Sequence, residues 1–276
     1  MFKRTVTAIV AIPIAFFLIR AGGIFFTLAV AMLAFVGWYE FRQMMLTKGY
    51  KVYYLTSCLA VLALIMAAAF GNELLEIPIM TFSILGIMLE ALYYHRRGNW
   101  APEVALSSCA VLYIGLLFSH FIRLRNITGA SVNAGSLGVM DLGEALFWTV
   151  LFGTWASDTF AYIFGCAFGK HALLPAVSPK KSIEGAVAGF IGCIIVVAIA
   201  GNVWLGLPLG KVVFLGLIIG LFAPLGDLVE SLMKRSFAVK DSGDFFPGHG
   251  GVLDRCDSLL FVVPLSYYYI KYFFLQ

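Results

Sequence analysis

An all-α, polytopic integral membrane protein is the fold class this sequence predicts, with about nine transmembrane helices and a polar site in the C-terminal half. Three observations carry that reading. Hydrophobic residues make up 61% of the 276 and charged residues only 12%, whereas soluble domains are apolar at about half of their positions. The mean hydropathy is +0.94. Apolar runs of about 20 residues, long enough to cross a bilayer as a helix, recur at roughly 5–21, 24–41, 52–70, 75–94, 102–122, 144–168, 185–207, 211–233 and 257–275.

The first run, Thr5 to Ile19 behind Lys3 and Arg4, has the outline of a secretory signal peptide. Arg20 stands where a small-residue cleavage site belongs, and a second apolar run begins within a few residues, so a retained anchor is expected. The runs up to 122 carry scattered acids, Glu40, Glu73, Glu76, Glu90 and Glu103, and read as scaffold. The stretch NITGASVNAGSLGVMDLG at about 126–143 has no helical period and reads as a loop. It separates an N-terminal scaffold, residues 1–143, from a C-terminal catalytic region, 144–276, where eight of the 15 acidic residues stand near glycines or basic residues. No internal repeat supports an inverted-repeat transporter.

Orientation follows from the basic residues. With nine spans, Lys3, Arg4, Arg42, Lys48, Lys51, Arg96, Arg97, Lys170, Lys180, Lys181, Lys234, Arg235, Lys240 and Arg255 fall on one side, and Arg20, Arg123, Arg125, Lys211 and Lys271 on the other. The positive-inside rule puts the richer side in the cytoplasm. The expected location is therefore the cell (cytoplasmic) membrane, multi-pass, with the active site facing the cytoplasm. The five cysteines form no CxxC pair and read as small buried hydrophobes. A net charge of +4 without basic runs excludes a nucleic-acid partner and is explained by anionic lipid headgroups.

The candidate site residues stand out against this apolar background. Asp158 lies inside one apolar run, and Asp227 and Glu230 lie near the end of another. An ionised Asp at a bilayer centre costs about 2.5–3.5 kcal/mol even on the lenient insertion scale. These carboxylates therefore belong in a protein interior or a watery cavity, unless they sit close enough to an interface to be hydrated. Asp227, Glu230 and Ser231 share one helical face. Asp254 and Asp257 bracket Arg255 at the start of the last run; such a pair suits Mg²⁺, although acids at a helix N-terminus also complement its dipole. No His/Cys set has zinc spacing.

The loop PGHGG, 247–251, can bring backbone N–H groups against phosphate oxygens, though glycine clusters are also plain turns. His249 within it can donate to a phosphate or act as acid or base; a lone loop His is also simply a surface group. Lys234, Arg235, Lys240 and Arg255 suit a triphosphate, while ordinary flanking charge accounts for the first two. In GKHALLPAVSPKKSIEG, 169–185, Lys180 and Lys181 read as contacts to nucleotide or lipid phosphate, or as anchors to anionic lipid.

The run from Ser231 to Asp257, with Lys234, Arg235, Lys240, Asp241, Pro247, His249, Gly250, Gly251, Asp254 and Arg255, resembles the diagnostic motif of the phosphatidate cytidylyltransferases, also called CDP-diacylglycerol synthases. SDTFAYIFG at 157–165, FGKH at 168–171, SPKKS at 178–182 with Glu184 and Gly185, and GDLVES at 226–231 are similar to other blocks of that family. The resemblance covers much of 155–258. Two departures stand outside the diagnostic run: Cys166 where members often have Arg, and Ser182-Ile183 where Thr-Trp is common. They leave the roles of the 166–184 region open.

The resemblance implies Mg²⁺-dependent transfer of a cytidylyl group from CTP to phosphatidic acid, giving CDP-diacylglycerol and pyrophosphate for phospholipid synthesis. It implies metal ligands at Asp227, Asp254 and Asp257, with Asp241 and Glu230 as near alternatives. Lys234, Arg235, Lys240 and Arg255 would bind phosphate, with Gly248, Gly250, Gly251 and His249 cradling it. Asp158, Lys180, Lys181, Glu184 and Ser231 would contact substrate. A second metal, a monovalent cation and a homodimer stay open. Two other readings compete, a CTP-dependent lipid-alcohol kinase acting on a polyprenol or phytol, and a secondary transporter with intramembrane carboxylates; the second leaves PGHGG without a task.

Overall fold

The computed structural model describes residues 2–94, 100–133, 138–202, 206 and 208–274, with side chains for 9–273. Arg96 and Arg97 of the orientation argument lie outside the described residues, as do the side chains of Lys3 and Arg4.

A helix forms on each of the nine apolar runs. These are α1 (Phe2–Ala21), α2 (Gly23–Leu46), α3 (Tyr54–Ala69), α4 (Glu76–Tyr93), the composite of α5 (Trp100–Ala110), a π-helical turn (Val111–Leu116) and α6 (Leu117–Arg125), then α7 (Leu142–Phe168), α8 (Ile183–Ala200), α9 (Leu209–Ser236) and α10 (Leu253–Tyr269). Among the described residues five helical segments are long and apolar enough to cross a membrane: Gly23–Leu46, Glu73–Tyr93, Trp100–Arg125, Ile183–Ala200 and Leu209–Ser236. The chain is thus an all-α membrane protein. Tyr54–Ala69 is a shorter apolar helix, and of α1 only Ile9–Ala21 lies within the residues described with side chains.

The chain divides into two compact units, one made of Met1–Arg123 with Lys234–Arg255, the other of Leu124–Met233 with Cys256–Gln276. In the first, Leu64, Ile87 and Val111 meet with Tyr53, Ala60 and Ala91 in a buried apolar cluster. Arg123, almost wholly buried, is neutralised by Glu76 at 2.6 Å and Glu73 at 3.5 Å.

In the second unit the loop read at 126–143 contains a short hairpin, β1 (Val132–Asn133) with β2 (Val139–Met140). It ends on a helix start. Asp141 caps α7 by accepting from the Glu144 N–H at 2.7 Å, and Arg125 grips both Asp141 oxygens at 2.8 and 3.0 Å. Helices α7 and α8 pack along much of their length. Gly185, Gly189 and Gly192 give α8 a face without side chains, and a Cβ at Gly189 would come within 2.5 Å of the Ser157 carbonyl oxygen. Small residues permit this approach where lipid supplies no hydrophobic drive between helices. A second hairpin, β3 (Ala172–Leu174) with β4 (Ser178–Ser182), leads into α8, which Ser182 caps by accepting from the Gly185 N–H.

Candidate active site

The motif loop is built in the first unit. At the end of α9, the Ala238 and Val239 N–H groups close onto the carbonyls of Arg235 and Lys234, with Ala238 in the left-handed region at φ 56°. Thr47, just past α2, donates its hydroxyl to the Phe237 carbonyl at 2.9 Å. From there the chain turns back, with Phe246 and Gly250 hydrogen-bonded and the His249 N–H donating to the Phe246 carbonyl, and enters α10.

Two carboxylates hold this loop from within. Asp254, on the first turn of α10, accepts from Lys234 Nζ at 2.6 Å, from the N–H groups of Ser242 and Gly251 at 2.8 Å each, and from Ser242 Oγ at 2.9 Å. Burial pushes its pKa up, but the hydrogen bond from Lys234, the Gly251 N–H, the lysine charge and the Ser242 N–H outweigh that and hold it below the ordinary value of 3.8. Glu40, on α2 and only 4% exposed, accepts from Val252 N–H at 2.9 Å, Leu253 N–H at 3.0 Å and Ser242 Oγ at 3.2 Å. These are orphan donors at the start of α10, where a negative charge also meets the positive end of the helix dipole.

The glycines answer to these carboxylates. A Cβ at Gly251 would come within 2.5 Å of Glu40 Oε2, and one at Gly243 within 2.7 Å of Glu40 Oε1. The expectation that the loop glycines free N–H groups for phosphate meets a different use at Gly251, whose N–H is given to Asp254.

What the loop presents outward is a cavity of about 480 Å³ lined by Lys240, Asp241, Asp244, Gly248, His249, Gly250 and Arg255, with Gly243 and Phe246. Lys240 and Arg255 are exposed there, and Arg255 Nε donates to the His249 carbonyl at 2.9 Å, fixing the guanidinium beside the loop. Arg235 lies exposed in the last turn of α9 and is not part of the lining.

The second unit holds a larger cavity, of about 680 Å³, among α7, α8, α9 and the β3–β4 hairpin. That volume is in the range of small-molecule sites. Asp158, Tyr162, Lys180, Lys181 and Asp227 line it, with apolar wall from Ala161, Leu173, Ala186 and Pro224. Lys181 Nζ pairs with Asp227 Oδ2 at 2.6 Å, and Ser231 donates to Asp227 Oδ1 at 3.2 Å. Glu230 is wholly buried. Asp257 accepts from the Ser258 N–H at 2.7 Å, and its backbone lies so close to α9 that a Cβ on Gly226 would fall within 2.5 Å of the Asp257 carbonyl. Glu184 does not line the cavity. It accepts from the N–H groups of Lys170 and His171, and from the His171 ring at 2.6 Å, tying the hairpin to the start of α8.

Among the described residues no three His, Cys, Asp or Glu side chains converge as a ready ligand cage. Asp227 and Asp254 each hold a lysine ammonium at 2.6 Å. Oxygens of that kind suit magnesium, which takes one or two carboxylates and completes its shell with water and substrate phosphate.

Glu40 and Ser242 are the residues that reading the sequence passed over. The signal for Glu40 was available, since a carboxylate inside an apolar run needs a polar partner as much as Asp158 or Asp227 does. Its partners, more than 200 residues away, left no local trace.

The model of the cytidylyltransferase family matches residues 2–273. A phosphatidate cytidylyltransferase of a Synechocystis species is 34% identical, over 97% of this chain and 96% of its own length. Proteins of the same name from Staphylococcus saprophyticus and Bacillus subtilis are 31% and 29% identical; the first alignment covers 95% of this chain and 96% of the relative, the second 99% and 98%. The chain belongs to the cytidylyltransferase family.

Proposed function

We propose that this member of the cytidylyltransferase family transfers the cytidylyl group of CTP to phosphatidic acid, releasing pyrophosphate and leaving CDP-diacylglycerol in the membrane. The observation that carries the reading is the folded motif loop, in which Lys240, His249 and Arg255 line one cavity while Asp254 and Glu40 hold the backbone behind it. The whole-chain likeness to phosphatidate cytidylyltransferases supports it.

In the proposed reaction an oxygen of the lipid phosphate attacks the α-phosphorus of CTP in line, the bond from that phosphorus to the β-phosphate breaks, and pyrophosphate leaves with the electron pair. A phosphate monoester dianion is already nucleophilic, so no covalent enzyme intermediate or general base is needed. The task left to the protein is to neutralise and position two mutually repelling anions. Lys240 and Arg255 bind nucleotide phosphate oxygens, with His249 donating a further hydrogen bond. The cavity of the second unit, with Lys180 and Lys181 over an apolar wall, takes the headgroup of phosphatidic acid.

A magnesium ion, which would supply neutralisation of phosphate charge, would be held in the second unit by Asp227 or Asp257, with Glu230 as the alternative there, and in the first unit by Asp254 or Asp241. The excess of basic residues on the side of the chain that carries the motif supports a cytoplasmic facing for this chemistry, where CTP is found.

Purified protein given phosphatidic acid and CTP labelled in the cytidine is expected to place the label in lipid in step with pyrophosphate release. Label reaching lipid only from the γ-phosphate of CTP would replace the reading with a lipid kinase. Absence of both transfers would overturn it.

A further inference from the structure

We infer that Glu40, a carboxylate on the N-terminal helix α2, is a positioning residue for nucleotide binding: it fixes the motif loop and the first turn of α10 so that Lys240, His249 and Arg255 face one cavity. Three hydrogen bonds carry the inference. Glu40 accepts from the Val252 and Leu253 N–H groups and from Ser242 Oγ, joining both ends of the loop to one side chain.

The fit around it is tight, because Gly243 and Gly251 lack the Cβ atoms that would collide with its two oxygens. Ser242 Oγ lies within hydrogen-bond distance of both Glu40 and Asp254 and has one proton for the two, so a shift of Glu40 passes to the carboxylate that orders the rest of the loop. No side chain of the motif can replace it: its two oxygens answer two N–H groups that have no helical partner at the start of α10. An amide in its place offers one acceptor and turns an NH₂ toward a backbone donor, leaving a buried N–H unsatisfied.

The kinetic part of the test rests on CTP as substrate; the structural part does not. Glu40→Gln, Gly243→Ala and Glu103→Gln are compared with wild type in backbone amide exchange and in steady-state transfer from CTP to phosphatidic acid. Glu103 is also buried, with its carboxylate on the Lys51 N–H and the Tyr53 hydroxyl; its variant therefore measures what the loss of any buried carboxylate does.

In Glu40→Gln the Val252 and Leu253 amides are expected to exchange at least about tenfold faster, as local opening becomes easier. KM for CTP is expected to rise about tenfold or more with KM for phosphatidic acid within about twofold of wild type. Gly243→Ala, which presses on Glu40 while leaving its charge in place, should change both quantities in the same direction by less, and it carries the test if Glu40→Gln does not accumulate. Glu103→Gln should leave both unchanged.

Wild-type exchange at 252–253 together with wild-type KM in Glu40→Gln would overturn the inference, as would an equal rise of KM in Glu103→Gln. A wild-type protein without transfer activity would instead refute the proposed reaction, and the exchange measurement would still decide whether Glu40 holds the loop.

Discussion

The two cavities are shaped by different forces. In the loop cavity of the first unit, backbone donors are gathered onto two carboxylates, Glu40 and Asp254. In the helix cavity of the second unit, the walls stand where they do because α7 and α8 approach over Gly185, Gly189 and Gly192, and its charged pair, Lys181 with Asp227, lies partly exposed on the surface of that packing. The contrast teaches where each site is vulnerable. The loop fails when a charge or an acceptor is lost; the helix cavity fails when volume is added.

Asp254→Asn should break the first half of this contrast most severely. It leaves Lys234 facing an amide and removes acceptor capacity from a buried carboxylate that now meets four donors. Breaking one partner of a buried pair typically costs about 3–5 kcal/mol, so a large fall in detergent-solubilised thermal stability and loss of most transfer activity are expected. Wild-type melting would contradict the role given to this side chain.

Acid should act through the same group. Because its folded pKa is depressed below 3.8, the stabilisation it contributes is fully present above that ordinary value and is lost only as pH falls through the lower folded value. Amide exchange across 242–251, corrected for intrinsic rates, should therefore stay slow down to about pH 4 and accelerate below it. Acceleration already at pH 5 to 6 would mean that protonation of a group other than Asp254, Glu40 among them, releases the loop first.

Gly189→Ala tests the other half. The new Cβ would meet the Ser157 carbonyl at 2.5 Å, backbone that cannot turn aside, and such overpacking costs about 1–3 kcal/mol. The expected result is lower stability with unchanged exchange in the 242–253 loop. Faster exchange there would show that the two kinds of support are not independent.

The smallest effect is a gain. Ala238 holds a φ of 56° at the end of α9, where glycine carries no Cβ penalty, and Ala238→Gly should stabilise by about 1 kcal/mol at most, read as a higher melting temperature.

Much of this architecture was legible in the sequence because it is local. Hydropathy over about 20 residues places a helix on every apolar run, and Asp141 and Ser182 mark the starts of α7 and α8 through ordinary capping chemistry. The β3–β4 hairpin escaped because SPKKS lacks an alternating apolar pattern.

The cluster at 231–257 showed where charge was concentrated and not what each charge touches. Lys240 and Arg255 turn outward, whereas Asp254, one residue from Arg255, turns in toward Ser242 and Lys234. That division is set by a loop whose closure depends on Glu40, some 200 positions earlier. Long-range hydrogen bonds leave no periodic signature.

The most direct measurement is steady-state transfer of cytidine label from CTP to phosphatidic acid by wild type beside the Lys240→Ala and Arg255→Ala variants. Wild type should label lipid, and each variant should raise KM for CTP by about tenfold or more while KM for phosphatidic acid stays within about twofold. Unlabelled lipid with wild type, or unchanged KM for CTP in both variants, would contradict the account.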